Sequence, residues 1–171
     1  MAAWRALSCV LGRERPMELL RHFPGGQQSL RIEAGVLRCL RKYRQTRLGQ
    51  SESGGQLFGT VTPSLVTVSH VARPHRSDQK ARTSFRSDPE RAQAAIQRFA
   101  RRGLLYLGEW HTHAEPIPRP SFSDEEAMRS LFLRSQLSTS ALLLLIIGYG
   151  NPDGDVGVWY IDSSGGLHTV D

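Results

Sequence analysis

Two histidines stand two residues apart in the segment Gly108-Glu109-Trp110-His111-Thr112-His113. The apolar residues before them predict a strand that runs into a loop at this point. Side chains at i and i+2 of a strand point to the same side, so the two imidazoles can bind one metal ion. A His-x-His pair is a weak indication by itself, because so short a motif arises by chance.

A carboxylate follows at a useful distance. Asp124 lies eleven residues after the second histidine, and Ser123 with Glu126 predicts a capping box that places Asp124 in the first turn of a helix. Alone, such an aspartate need only favour the helix dipole, but beside a histidine pair it can be a third ligand. Two histidines and one aspartate leave a tetrahedral position open to water, as catalytic zinc requires. The expected Zn²⁺ ligands are His111, His113 and Asp124.

A hydrolytic zinc site also needs a base for the attacking water and a donor for the developing oxyanion. Glu52 precedes two glycines at the start of a predicted strand, where backbones approach closely and a side chain can reach a neighbouring strand end. Ser121 lies three residues before Asp124. Glu52 and Ser121 are the candidates for these two roles, although taken alone each could be an ordinary loop residue.

These residues together resemble the JAMM motif, E…H-x-H-x7-S-x2-D, of the JAB/MPN metalloproteases. The segment from Ser51 to Gly59 is also similar to the family's glutamate segment, and the resemblance covers about residues 30–162. It implies a zinc isopeptidase with a curved sheet between helices, acting on ubiquitin or ubiquitin-like conjugates. The resemblance also implies that His111, His113 and Asp124 are the zinc ligands, that Glu52 is the general base and that Ser121 is the oxyanion donor. Ala114 stands where many members have a proline that shapes the loop.

Three segments most resemble the small bacterial members: Gly108-Glu109-Trp110-His111-Thr112-His113, Arg76-Ser77-Asp78 and Phe85-Arg86-Ser87-Asp88-Pro89. That subgroup includes deconjugating peptidases found beside E1-like and E2-like enzymes in anti-phage cyclic-oligonucleotide (CBASS-type) operons. The implied partner is a ubiquitin-like protein, or a conjugate, with an extended C-terminal tail. Processing of a ubiquitin-fold sulfur carrier is an alternative that the motif leaves open.

Helical and strand patterns interleave along the chain, which predicts an α/β fold with a central mixed sheet and helices on its faces. Residues 1–28 are expected to be an N-terminal extension, and residues 29–171 one JAB/MPN-like domain. The predicted helices span about 33–46, 88–103 and 123–136. The predicted strands span 29–32, 56–61, 65–72, 104–113, 141–148 and 156–161, with a loop at 73–87 that contains at most one short strand.

The net charge of +6, carried almost wholly by arginine, favours an acidic partner. Arg76 and Arg82 in the 73–87 loop are candidates to bind the substrate protein beside an open groove. A nucleic-acid-binding module and a metal-free scaffold are non-enzymatic alternatives. Nucleic acid is not the expected partner, because no base-reading motif accompanies the arginines. The two cysteines suggest a reducing, cytoplasmic setting, and no apolar run is long enough to span a membrane.

Overall fold

The computed structural model describes residues 18–152 and 154–171 as ten strands and three helices. The strands are β1 (Leu19–His22), β2 (Ser29–Ile32), β3 (Gly54–Val61), β4 (Leu65–Val71), β5 (Gln79–Ala81), β6 (Ser84–Arg86), β7 (Leu105–Thr112), β8 (Ala141–Ile147), β9 (Val156–Asp162) and β10 (Leu167–Thr169). The helices are α1 (Ala34–Arg41), α2 (Pro89–Ala100) and α3 (Phe122–Arg134).

Eight of the strands form one mixed sheet in the order β1-β2-β4-β3-β7-β8-β9-β10. The β2–β4 and β7–β8 pairs are parallel, and the other pairs are antiparallel. The sheet is curled so strongly that its two edges meet. His22, in edge strand β1, and Asp171, just after edge strand β10, exchange backbone hydrogen bonds. The predicted α/β class, with a central curved mixed sheet flanked by helices, is confirmed.

The three helices cover both faces of the sheet. α1 packs on one face with Val36, Leu37 and Leu40, in a cluster that includes Trp110. α3 contributes Met128, and α2 contributes Phe99, to two smaller clusters on the other face. Both faces of the central strands are therefore buried, and the six residues 142–147 of β8 are at most 4% exposed. No helix in the described ranges is long and apolar enough to cross a membrane.

The structure differs from the predicted elements in several places. α1 ends at Arg41 rather than near Thr46, because Arg41 and Arg44 turn toward the fully buried Asp155 and form ion pairs with it. The loop at 73–87 contains a complete hairpin, β5–β6, rather than one strand. Residues 19–22, to which no element had been assigned, and β10 add two further strands to the sheet.

A bulge in β7 decides which way the histidines point. The register between β3 and β7 shifts between Leu57 and Phe58, opposite Gly108. Gly108 has φ +142°, and a Cβ there would lie 2.0 Å from the carbonyl oxygen of Leu143. Because of the bulge, the side chains of Leu107 and Trp110 lie on the same face of the sheet, in the cluster with α1. His111 directly follows Trp110 in the strand, so its side chain points to the opposite face.

We predict that Gly108→Ala lowers the free energy of unfolding by roughly 2–4 kcal/mol, through backbone strain and a clash with β8. Gly103→Ala is the matched control, since Gly103 has φ +74° but open space around it. It should cost only about 1–2 kcal/mol, the strain of a left-handed alanine. Urea denaturation of both variants measures the difference. Equal losses would show that the bulge relaxes without cost.

Candidate metal centre

The two histidines of the His-x-His segment converge at the end of β7. Their Nε2 atoms lie 3.0 Å apart, and the rings are tilted by 47°. Both residues are buried, and the backbone of His113 is held by a hydrogen bond from its N–H to the carbonyl oxygen of Ile147, at the end of β8. Side chains two residues apart on a strand lie on the same face, so these two imidazole nitrogens can bind one cation.

Asp124 reaches both imidazoles from the first turn of α3. Its Oδ1 lies 3.3 Å from Nε2 of His111, and its Oδ2 lies 3.3 Å from Nε2 of His113. The predicted capping box of Ser123 and Glu126 is wrong, because Ser121 is the N-cap and Asp124 occupies the third helical position. The Ser121 N–H donates to Asp124 Oδ2 at 2.7 Å. The cap therefore orients the carboxylate toward the histidines.

Glu52 approaches from the loop that precedes β3. Its Oε1 lies 3.9 Å from Nε2 of His113, and the side chain is almost fully buried. Ligand atoms of Glu52, His111 and His113 lie within 4.8 Å of one another. The register that pairs Gly54 with His111 puts Glu52 just beyond the end of the β3–β7 ladder. The structure thus brings two carboxylates and two imidazoles to one place.

Burial and charge alter the protonation of these groups. Burial raises the pKa of Glu52 to about 7, against the opposing effect of His113. Burial acts to raise the pKa of Asp124 as well, yet hydrogen bonds from the two imidazoles bring it well below its ordinary value. Burial acts to lower the pKa of His113, but Asp124 outweighs this effect and the pKa is raised. Near neutral pH, Glu52 is poised to take up or release a proton.

The other predicted site residues lie around this centre. The Ser121 hydroxyl donates to Asp124 Oδ2 at 2.6 Å, so in this state it supports the carboxylate. Arg76 and Arg82 are exposed on the 73–87 loop, and neither forms an ion pair within the described residues. The carbonyl oxygen of Ala81, at the end of β5, accepts from the N–H of Glu52 at 2.8 Å. The hairpin therefore stands directly beside the glutamate.

Two polar residues that the sequence reasoning missed lie close to this centre. Gln45 is 3% exposed and bonds to Thr112, between the two histidines. Glu109 accepts from the Tyr106 hydroxyl at 2.6 Å and from the Gln56 amide at 3.1 Å, and burial raises its pKa to about 7. Glu109 lies in the segment that contains the two histidines, so the sequence offered it as a candidate. Nothing in the sequence pointed to Gln45, because it falls within the helix predicted at 33–46.

The donor set suits a divalent cation. Two neutral imidazoles cannot both donate across a 3.0 Å gap, and two carboxylates repel each other in a buried site. A cation bound by the two imidazoles and a carboxylate would relieve both conflicts. Imidazole and carboxylate ligands with room for a further ligand are typical of catalytic zinc and related divalent ions. The residues present therefore fit a metal ion.

A curled mixed sheet with this donor set at the end of a central strand defines the chain as a hydrolytic enzyme of the JAMM type. Residues 35–161 match the family described as prokaryotic homologs of the JAB domain. The chain belongs to this family. The solution structure of a protein from Desulfitobacterium hafniense is similar in fold, with a TM-score of 0.57 at 24% identity over 82% of this chain and 86% of that one.

Curated relatives share part of the sequence. A protein of Escherichia coli (strain TW11681), named CD-NTase/cGAS isopeptidase, is 31% identical over 120 residues, which cover 68% of this chain and 74% of the relative. A protein of the same name from Vibrio cholerae serotype O1 is 36% identical over 121 residues, with the same coverage. The resemblance inferred from the motifs, to the small bacterial JAB-domain deconjugating peptidases, is confirmed by these matches.

The raised pKa of Glu52 predicts a pH dependence of stability in chelator. A folded-state pKa of about 7, above the ordinary value of 4.5, means that the folded protein holds this proton more tightly than the unfolded chain. The stabilisation is complete below pH 4.5 and is lost as the pH rises to about 7. Glu52→Gln should therefore reduce the decrease in the free energy of unfolding between low and neutral pH by about 3 kcal/mol.

Denaturation at pH 4.5 and pH 8, in excess chelator, measures this difference between the two proteins. The control is Glu90→Gln, which replaces an exposed glutamate in the first turn of α2 and should leave the pH dependence as it is. An unchanged pH dependence in Glu52→Gln would mean that the Glu52 carboxylate is solvated in the metal-free protein.

Proposed function

We propose that this chain is a zinc-dependent isopeptidase that cleaves after the C-terminal residue of a ubiquitin-like protein, or of a protein conjugated by a ubiquitin-like E1/E2 system, in fusions or in conjugates. The observation that carries the proposal is the convergence of three buried residues, His111, His113 and Glu52, with the partly exposed Asp124. Membership of the JAB family and the names of the curated relatives support the isopeptidase activity and an anti-phage setting.

The proposed roles divide the cluster into ligands and base. His111, His113 and Asp124 hold the ion, since Asp124 contacts both imidazoles. When bound, zinc supplies a Lewis acid for the scissile carbonyl and lowers the pKa of a coordinated water. Glu52 accepts the proton of the attacking water at Oε1 and passes it to the leaving amine.

Ser121 is proposed as the oxyanion donor. Its hydroxyl is exposed at the N-terminus of α3 and is at present directed to Asp124 Oδ2. The hydroxyl can rotate about its Cβ–Oγ bond, so it can turn from the carboxylate to a developing oxyanion. The N-terminus of α3 adds a favourable dipole for negative charge at this position.

The substrate side of the proposal rests on the surroundings of the cluster. The β5–β6 hairpin lies beside Glu52, with Arg82 exposed in its turn and Arg76 exposed in the segment that precedes it. We propose that they contact the body of the partner protein, while its extended C-terminal tail reaches the metal. We propose that E1-like and E2-like enzymes supply the conjugates.

We predict that substitution of the base and substitution of a ligand have different effects on metal content. Glu52→Gln should keep one zinc per chain and lose at least about 10³-fold in kcat, because it removes the proton acceptor and leaves the ligands in place. His111→Ala and Asp124→Ala should lose both the metal and the activity. Metal analysis of the purified variants, with circular dichroism to verify folding, gives the answer. A zinc-free Glu52→Gln protein would make Glu52 a ligand.

We predict a single cleavage site in model substrates, because a tail held beside a fixed metal presents one bond. Ubiquitin-like domains fused at their C-terminus to a reporter, or joined to a lysine of a target, should be cut directly after the terminal residue of the domain. Mass spectrometry of the products identifies the bond. A matched sulfur-carrier fusion tests the processing alternative, and scattered cuts in unfolded proteins would contradict the deconjugation proposal.

A further inference from the structure

The buried amide of Gln45 bonds to the three segments that surround Glu52. Its Nε2 donates to the carbonyl oxygen of Gln50 at 2.8 Å and to that of Arg82, in the turn between β5 and β6, at 3.0 Å. Its Oε1 accepts from the Thr112 hydroxyl at 3.4 Å. Gln45 does not touch the metal cluster itself. It lies behind β7, on the side of the strand to which Thr112 points.

Thr112 continues this set of bonds to the residue after Glu52. The Thr112 hydroxyl oxygen accepts from the N–H of Ser53 at 3.0 Å, and the Thr112 N–H donates to the Ser53 carbonyl at 2.9 Å. Because the hydroxyl oxygen accepts from Ser53, its proton is free to bond to Gln45. Thr112 stands between the two histidines, so the same residue fixes their strand and the glutamate segment.

These bonds close a ring around the backbone of Glu52. On one side, the N–H of Glu52 donates to Ala81, which is adjacent to Arg82, and Arg82 is held by Gln45. On the other side, Ser53 is held by Thr112, and Thr112 is held by Gln45. Both neighbouring peptide groups of the glutamate are therefore tied to one buried amide.

We infer that Gln45 is a positioning residue, which holds the Glu52 carboxylate at its working distance from the histidines by closing this ring. The inference rests on the proposed function of Glu52 as the base. Only a side chain with both donors and an acceptor completes the ring, since Gln50 and Arg82 present carbonyls and Thr112 presents a hydroxyl. A displacement of about 1 Å at a reacting group can cost on the order of 100-fold in rate.

The test compares isosteric variants of the metal-loaded protein. Gln45→Met and Thr112→Val keep the volume but break the ring, and each should lower kcat about 10- to 100-fold with KM changed less than about 3-fold. Thr112→Ser keeps the hydroxyl and should retain kcat. The double variant Gln45→Met/Thr112→Val should fall no further than the worse single variant, because the two substitutions break the same ring. All variants should keep one metal ion per chain.

Ile32→Val, in the buried part of β2, controls for the loss of stability alone and should leave kcat unchanged. Unchanged kcat in folded, metal-loaded Gln45→Met would overturn the inference, as would additive losses in the double variant. Loss of the metal from Gln45→Met would also overturn it, because the residue would then support the ligands rather than the base.

Amide hydrogen exchange gives a readout that does not depend on the proposed activity. Breaking the ring should speed the exchange of the Glu52 and Ser53 amides in Gln45→Met, relative to Ile32→Val, while the amides of β8 stay protected. Failure of the unsubstituted protein to cleave any isopeptide would refute the proposed function and leave this result standing. Unaltered exchange at both amides would refute the positioning role, whatever the activity.

Discussion

The site depends on the antiparallel pairing of β3 with β7, in the register that sets Gly54 opposite His111. This contact is so close that a Cβ on Gly54 would lie 2.5 Å from the ring of Phe85 and from the carbonyl oxygen of Trp110. Because residue 54 is glycine, the Phe85 side chain of the β5–β6 hairpin can pack directly onto β3. The chain just before it then emerges beside the histidines, with the Glu52 side chain directed into a buried pocket.

The same pairing imposes an electrostatic cost. It places two carboxylates and two imidazoles in a space with little water, and burial raises the pKa of Glu52 as a result. Such a cluster is unfavourable until a cation joins it, and its stability in the metal-free state must come from elsewhere. The apolar faces of the curled sheet, above all β8, supply it through burial against helices on both sides.

The 73–87 segment is anchored despite its length and polarity. Gln56 holds it near α2 through the Ser87 hydroxyl, and the indole N–H of Trp110 holds its start through the carbonyl of Ala72 at 3.0 Å. The two ends of the segment that carries the exposed arginines are therefore held in place by hydrogen bonds. A segment of this kind presents charge to a partner without the entropy cost of ordering a free loop.

The amino-acid sequence alone determined the α/β class, most of the strands and helices, and the five residues of the motif, because apolar periodicity and residue spacing are local properties. Tertiary structure decided the true N-cap at Ser121, the early end of α1 and the inward turn of Gln45. These depend on which partners arrive from distant segments: histidines for Asp124, Asp155 for the arginines, and Thr112 for Gln45. The pairings of Asp124 with the histidines and of Gln45 with Thr112 follow from the register and bulge of β7, because strand contacts that no local pattern encodes set the direction of its side chains.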